Sequence, residues 1–228
     1  PPPPLLARPP GERPPGIIDL RATGWSLPVL RARMTDALAR ARATALEAPD
    51  LRRSFGRWCL LSWLLLAGSA AALGAGAGSA ARVAVAGGLL VAWGLFWQFI
   101  IFVHLGLIRL PDGALRDRFG LPNGLTYLRI LLVPSAGWMI LAHERLHDHA
   151  VLATALFFLL GFTDVLDGLI ARATDWGTTL GRNLDHLGDV LILSAVAIAE
   201  YLSGLLPGWL TALVLVRYVT TGAGGILA

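Results

Sequence analysis

The chain has 228 residues, 55% of them hydrophobic and only 15% charged, where an ordinary soluble domain carries roughly a quarter charged residues. That composition, with a mean hydropathy of +0.64, excludes a soluble globular enzyme and a disordered chain and predicts an integral membrane protein. The formal charge of +4 comes from arginine alone, because the chain has no lysine. These arginines border apolar segments, so they read as topology signals and contacts to anionic lipid, and no nucleic-acid partner is expected. The lone Cys59 excludes an intrachain disulfide and any cysteine metal site. The lack of lysine, together with abundant Ala, Leu and Gly, suggests a GC-rich bacterial genome.

Residues 1–57 read as a cytoplasmic leader rich in proline and arginine. Its start, PPPPLLARPPGERPPG, carries no secretory signal and is expected to be disordered, and an opening without Met reads as the edge of a fragment. The following LPVLRARMTDALARARATAL places Leu27, Leu30, Met34, Leu38 and Ala41 at helical spacing between arginines. That pattern suits an interfacial amphipathic helix, and equally a solvated helix packed on its own protein.

A bilayer-spanning helix needs about 20 mostly apolar residues. Six stretches qualify, near 58–75, 83–108, 124–142, 150–171, 187–206 and 208–228. The expected fold class is therefore all-α, a polytopic transmembrane helix bundle of six visible spans preceded by the interfacial helix. Ten arginines precede the first span; three (109, 116, 118) lie between spans two and three, and two (172, 182) between spans four and five. The other side holds only Arg82 and Arg145. Arginine bias thus places the N-terminus and the 173–183 segment in the cytoplasm and 143–149 outside.

One charged stretch interrupts this apolar pattern: DVLDGLIARATDWGTTLGRNLDHLGD, residues 164–189. Asp164 and Asp167 are three apart at the end of span four, and Asp185 and Asp189 four apart at the start of span five. Both spacings put two carboxylates on one helix face. A short turn joins the helices, so they are expected to be antiparallel neighbours with the pairs facing each other. Each acid costs about 2.5–3.5 kcal/mol at mid-bilayer and less near the interface, so something cationic must compensate. Oxygen donors without cysteine or paired histidine select hard cations, Mg²⁺ or Mn²⁺, and four carboxylates could hold two such ions. Helix capping and pairing with arginine would explain one such aspartate but not four.

Other candidates read more plainly. Asp175 suits a solvated loop, His186 a surface or supporting role, and His143, His147 and His149 with Glu144 and Asp148 a wet polar loop. Arg217 could approach an anionic lipid, and Trp58, Trp63 and Trp209 suit an interfacial belt.

The pattern D-x-x-D-G-x-x-A-R-x8-G-x-x-x-D-x-x-x-D resembles the signature of the CDP-alcohol phosphotransferases. The chain matches it at Asp164, Asp167, Gly168, Ala171, Arg172, Gly181, Asp185 and Asp189. LPNGLTYLR, with Asn123, Thr126 and Arg129, resembles the start of the family's first core helix. The resemblance covers residues 109–228, the first four core helices of a unit that usually has six, so truncation at the C-terminus is expected, with partial substitution by the two N-terminal spans as the alternative. Residues 58–108 are then two additional transmembrane helices.

The resemblance implies an enzyme that transfers a phosphatidyl group from a CDP-linked lipid, CDP-diacylglycerol, to an alcohol and releases CMP. It implies metal ligation of two Mg²⁺ ions by Asp164, Asp167, Asp185 and Asp189, with Asp189 also the general base. It implies substrate contacts from Asn123, Gly124, Leu125, Thr126, Arg129, Gly168, Ala171, Arg172, Thr178 and Gly181. The expected acceptor is glycerol 3-phosphate, because LPGWLTALVLVRY loosely resembles phosphatidylglycerol-phosphate synthases; an inositol phosphate is the alternative. A homodimer in the inner or plasma membrane, with its site facing the cytoplasm, is also expected. A divalent-cation transporter is the competing class, but it calls for acids near the bilayer midplane and often for internal repeats.

Overall fold

The computed structural model describes residues 27–76, 79–110, 112–141, 150–174 and 176–227. Among the described residues the chain is all-helical: α1 (Leu27–Glu47), α2 (Pro49–Gly76), α3 (Ala80–Val103), α4 (Leu121–Leu141), α5 (Ala150–Ala173), α6 (Thr179–Leu202) and α7 (Gly208–Leu227), with a 3-10 turn at Leu105–Leu107. Two helical stretches, Val83–Val103 and Leu121–Leu141, are long and apolar enough to cross a membrane. The expected N-terminal leader before residue 27, Asp175 and the histidine cluster at 143–149 lie outside the described residues.

The apolar run from residue 58 is the later part of a longer helix. Pro49 opens α2, where its missing N–H costs no helical bond, and Asp50 follows in the first turn, where the helix dipole favours an acid. Along α1, Ala41 and Ala45 are buried against the protein while Leu27 and Met34 stay exposed.

Helix α4 is the axis of the bundle, packing most extensively on α6 and α5 and also on α2. Thr178, at the start of α6, donates to Asn123 near the start of α4 (3.1 Å), and Ser203, just past the end of α6, donates to Ile140 O near the end of α4 (3.2 Å). The two helices therefore run parallel, and α5 returns between their ends. Among the described residues α5 and α6 each pack on α4 rather than extensively on each other. The expected direct antiparallel pairing is thus mediated by a third helix.

Pro134 sits inside α4 and removes the N–H that would bond to Ile130 O. The Trp93 indole of α3 donates to that same carbonyl (3.1 Å), so the break is satisfied by a neighbouring helix. A second polar tie joins α2, α3 and α4: Tyr127 Oη and Gln98 Nε2 both approach Ser62 Oγ (3.1 Å each). Around these ties Leu51, Phe55, Ile101, Leu105, Phe119, Tyr127, Ile130 and Leu180 form one buried cluster. Trp58 and Trp63 pack against this core, whereas Trp209 is 70% exposed. Of the three expected belt tryptophans, only Trp209 faces outward.

Candidate active site

The site is built where the N-terminal ends of α4 and α6 meet. The segment before α4 folds into a small turn: Arg109 and Leu115 form an isolated antiparallel bridge, and the Arg109 guanidinium closes the turn on Gly106 O (2.9 Å) and Gly113 O (2.8 Å). The Arg109 carbonyl accepts from Thr179 N (3.2 Å), which ties this turn to the start of α6. Gly120 then takes φ +83°, and the Trp176 indole packs where a Cβ at residue 120 would lie. Glycine is required there twice over, by backbone conformation and by space. Arg116 lies over that indole ring, 4.4 Å from its centroid.

At the start of α4, the buried Asn123 donates from Nδ2 to Phe119 O (2.7 Å). Its Oδ1 accepts from Thr178 Oγ1 (3.1 Å), and Thr178 in turn caps α6 by accepting from Gly181 N (3.0 Å). Asn123 Oδ1 occupies the space a Cβ at Gly181 would need, which is why α6 carries glycine there. Trp58 fills the corresponding space at Gly124. The buried Thr126 donates back to Pro122 O (3.1 Å).

Farther along the same interface, Arg129 reaches from α4 to α6. Its side chain is 2% exposed, with Nη2 2.7 Å from Asp185 Oδ1 and 3.5 Å from Asp189 Oδ1. The acids themselves are half open, at 50% and 47% exposure. One buried guanidinium thus offsets two adjacent carboxylates, a counter-charge from the protein itself where the sequence pointed to divalent cations. Arg129, expected to touch substrate, is turned toward the acids. Gly188 makes room for it: a Cβ there would lie 3.4 Å from Arg129 Nη2 and 3.3 Å from Ile130 Cγ1. Gly188 was missed in the sequence, although it stands seven residues after Gly181 and so on the same helix face.

On α5, Asp164 and Asp167 lie within the last three turns, but their side chains lie outside the described residues. Arg172 folds back over Gly168, its guanidinium nitrogens 3.5 and 3.6 Å from where a Cβ would be. The Ala171 carbonyl accepts from Trp176 N (2.9 Å) as α5 ends, and Leu125 is half-buried on α4. His186 is exposed beside the acids. Among the described residues no group of three or more His, Cys, Asp or Glu side chains comes together; the described acidic pair stops at Asp185 and Asp189. That pair offers only oxygen donors and is half open, so it fits a hard divalent cation.

These features define an all-helical, membrane-associated protein with a cation-compensated acidic pair at one end of its bundle. The family model for CDP-alcohol phosphatidyltransferase matches residues 119–227, a little under half of the chain's 228 residues. It is 33% identical over 121 residues to CDP-diacylglycerol–glycerol-3-phosphate 3-phosphatidyltransferase of Bacillus subtilis, covering 48% of this chain and 63% of that protein. It is 35% identical over 98 residues to a probable phosphatidylglycerophosphate synthase of Mycobacterium tuberculosis, covering 42% and 47%. It is 35% identical over 101 residues to a cardiolipin synthase (CMP-forming) and mitochondrial hydrolase fusion protein of Schizosaccharomyces pombe, covering 44% and 16%. The chain therefore spans less than two thirds of the length of each of these relatives. No solved structure matches it.

Proposed function

We propose that this chain transfers a phosphatidyl group from CDP-diacylglycerol to a hydroxyl of glycerol 3-phosphate and releases CMP. The observation that carries the reading is the Arg129-anchored pair Asp185 and Asp189 standing beside the Asn123–Thr178–Gly181 corner, within residues 119–227. The donor's acyl chains stay in the bilayer while its headgroup meets the ends of α4 and α6. Gly168 carries no side chain beside the Arg172 guanidinium, which suits a phosphate oxygen.

Asp164, Asp167, Asp185 and Asp189 would hold two divalent ions, Mg²⁺ or Mn²⁺. When bound, such ions bind the donor's phosphates and stabilise charge on the departing CMP. The rest falls to side chains. Arg129 fixes Asp185 closely and Asp189 more loosely, at 2.7 and 3.5 Å. The looser carboxylate can turn to the acceptor hydroxyl and take its proton as the oxygen attacks phosphorus. The bond to CMP breaks as the new phosphodiester forms.

The six apolar segments are read as six spans, with α1 on the cytoplasmic surface and the active site facing the cytoplasm of an inner or plasma membrane. Large exposed apolar side chains such as Leu64, Leu95, Phe158, Val165 and Leu213 support lipid-facing or subunit-facing helix surfaces, a homodimer included. The likeness to a cardiolipin synthase favours a second acceptor, phosphatidylglycerol, which differs from cardiolipin by one phosphatidyl group. The test is CMP release by the purified protein with CDP-diacylglycerol, Mg²⁺ and a panel of glycerol 3-phosphate, phosphatidylglycerol and inositol phosphate. Release with glycerol 3-phosphate, abolished by EDTA, is expected. Undiminished release in EDTA would remove the divalent ions, and no release with any acceptor would remove the activity.

A further inference from the structure

The donor-binding corner is held in place by residues outside the family domain. Phe119 N donates to Ser54 Oγ of α2 (3.2 Å), and Phe119 O accepts from Asn123 Nδ2 (2.7 Å). Asn123 Oδ1 then accepts from Thr178, which caps Gly181. One chain of hydrogen bonds thus runs from α2 through the start of α4 to the start of α6. It also fixes the Asn123 amide, because the nitrogen faces a carbonyl and the oxygen faces a hydroxyl.

One turn farther along α2, the Trp58 indole occupies the space beside Gly124 and packs on Phe119, with ring centroids 6.5 Å apart. Phe55 adds a second ring contact to Phe119 at 5.4 Å. Ser54, Phe55 and Trp58 precede the matched region, 119–227. They also lie apart from the Ser62 tie to Tyr127 and Gln98, which joins the same helices farther along α2.

We infer that Ser54 and Trp58 are positioning residues for donor binding, acting through Phe119, Asn123 and Gly124 rather than by touching the reacting atoms. The inference rests on the proposed reading of the Asn123 corner as the CDP-binding site. Binding of CDP-diacylglycerol in detergent micelles is measured by titration for wild type, Ser54→Ala, Trp58→Phe, Trp58→Ala and Ser62→Ala. Kinetic constants for CMP release are measured in parallel.

Ser54→Ala is expected to weaken donor binding roughly threefold to tenfold, the scale of one lost neutral hydrogen bond. The acceptor KM should not change. Trp58→Ala should weaken donor binding at least as much, and Trp58→Phe, which keeps a ring against Phe119, should recover part of it. Ser62→Ala should lower the melting temperature with donor affinity unchanged. Equal loss of donor and acceptor affinity, or unchanged donor affinity in both Ser54→Ala and Trp58→Ala, would overturn the inference. Wild type that binds the donor but releases no CMP removes the proposed reaction alone. Wild type that binds no CDP-lipid removes both.

Discussion

At the scale of single residues, the arrangement around Arg129 is asymmetric, and that sets which substitutions are costly. Arg129 is buried, while Asp185 and Asp189 are half exposed. Removing a half-exposed acid leaves a buried cation with its weaker partner, whereas removing the cation leaves two acids that water can reach. In EDTA-containing buffer, Asp185→Ala is therefore expected to destabilise by about 1–3 kcal/mol, and Arg129→Met by less. Thermal melting checks this, and the reverse order would contradict the reading. Both variants should lose CMP release, because Arg129→Met leaves the acids unpositioned. Gly188→Val should resemble Arg129→Met, since its side chain would enter the space beside Nη2. For Asp189→Asn, loss of the proton acceptor predicts a fall in turnover of roughly 10²–10⁴-fold with donor affinity largely kept. Turnover within a few-fold of wild type would move the base elsewhere, with His186 the first residue to examine.

At the scale of elements, the pairing of Trp93 with the carbonyl freed by Pro134 gives a coupled prediction. Trp93→Phe removes the donor to Ile130 O and should cost about 1–3 kcal/mol, the penalty of a buried unsatisfied group. Pro134→Ala restores a backbone N–H to the same carbonyl, so Trp93→Phe should cost distinctly less in that background. Equal cost in both backgrounds, measured by thermal melting as a double-mutant cycle, would mean the indole contributes only packing. The positions of these helices were legible from apolar runs, because span length follows from bilayer thickness. Their partners were not. The four-residue spacing of Asp185 and Asp189 announced a shared face, but nothing in that spacing says that the facing helix is α4 rather than α5. Arg129 was legible as part of a motif, yet its role as the buried counter-charge depends on the parallel register of α4 and α6, which only tertiary packing sets. Trp58 and Trp63 looked like belt residues because tryptophan favours interfaces; their packing against the core came from glycines on α4 and α3, and a distant glycine carries no local signal.

At the scale of the whole molecule, the arginine count and the packing bear on the same question. The segment with Arg109, Arg116 and Arg118 meets the one between Arg172 and Arg182, through Thr179 N to Arg109 O (3.2 Å) and Arg116 over Trp176. Two segments that the arginine bias assigned to the cytoplasm thus gather at one end of the bundle. The turn after α6 lies at the other end, where Ser203 meets Ile140. On a Cys59→Ala background, Gly177→Cys and Leu205→Cys report these two ends. Residue 177 is exposed with open space around it, and Leu205 is 58% exposed. A membrane-impermeant thiol reagent applied to intact cells should label Cys at 205 and leave Cys at 177 unlabelled until the cells are opened. His147→Cys, in the segment assigned to the outside, should behave like 205. Labelling at 177 but not at 205 in intact cells would invert the orientation. It would also move the CDP-dependent chemistry away from the compartment where nucleotides are made. Labelling at both would mean that the two ends do not lie on opposite sides of a bilayer, and that α4 and α6 are not both spans.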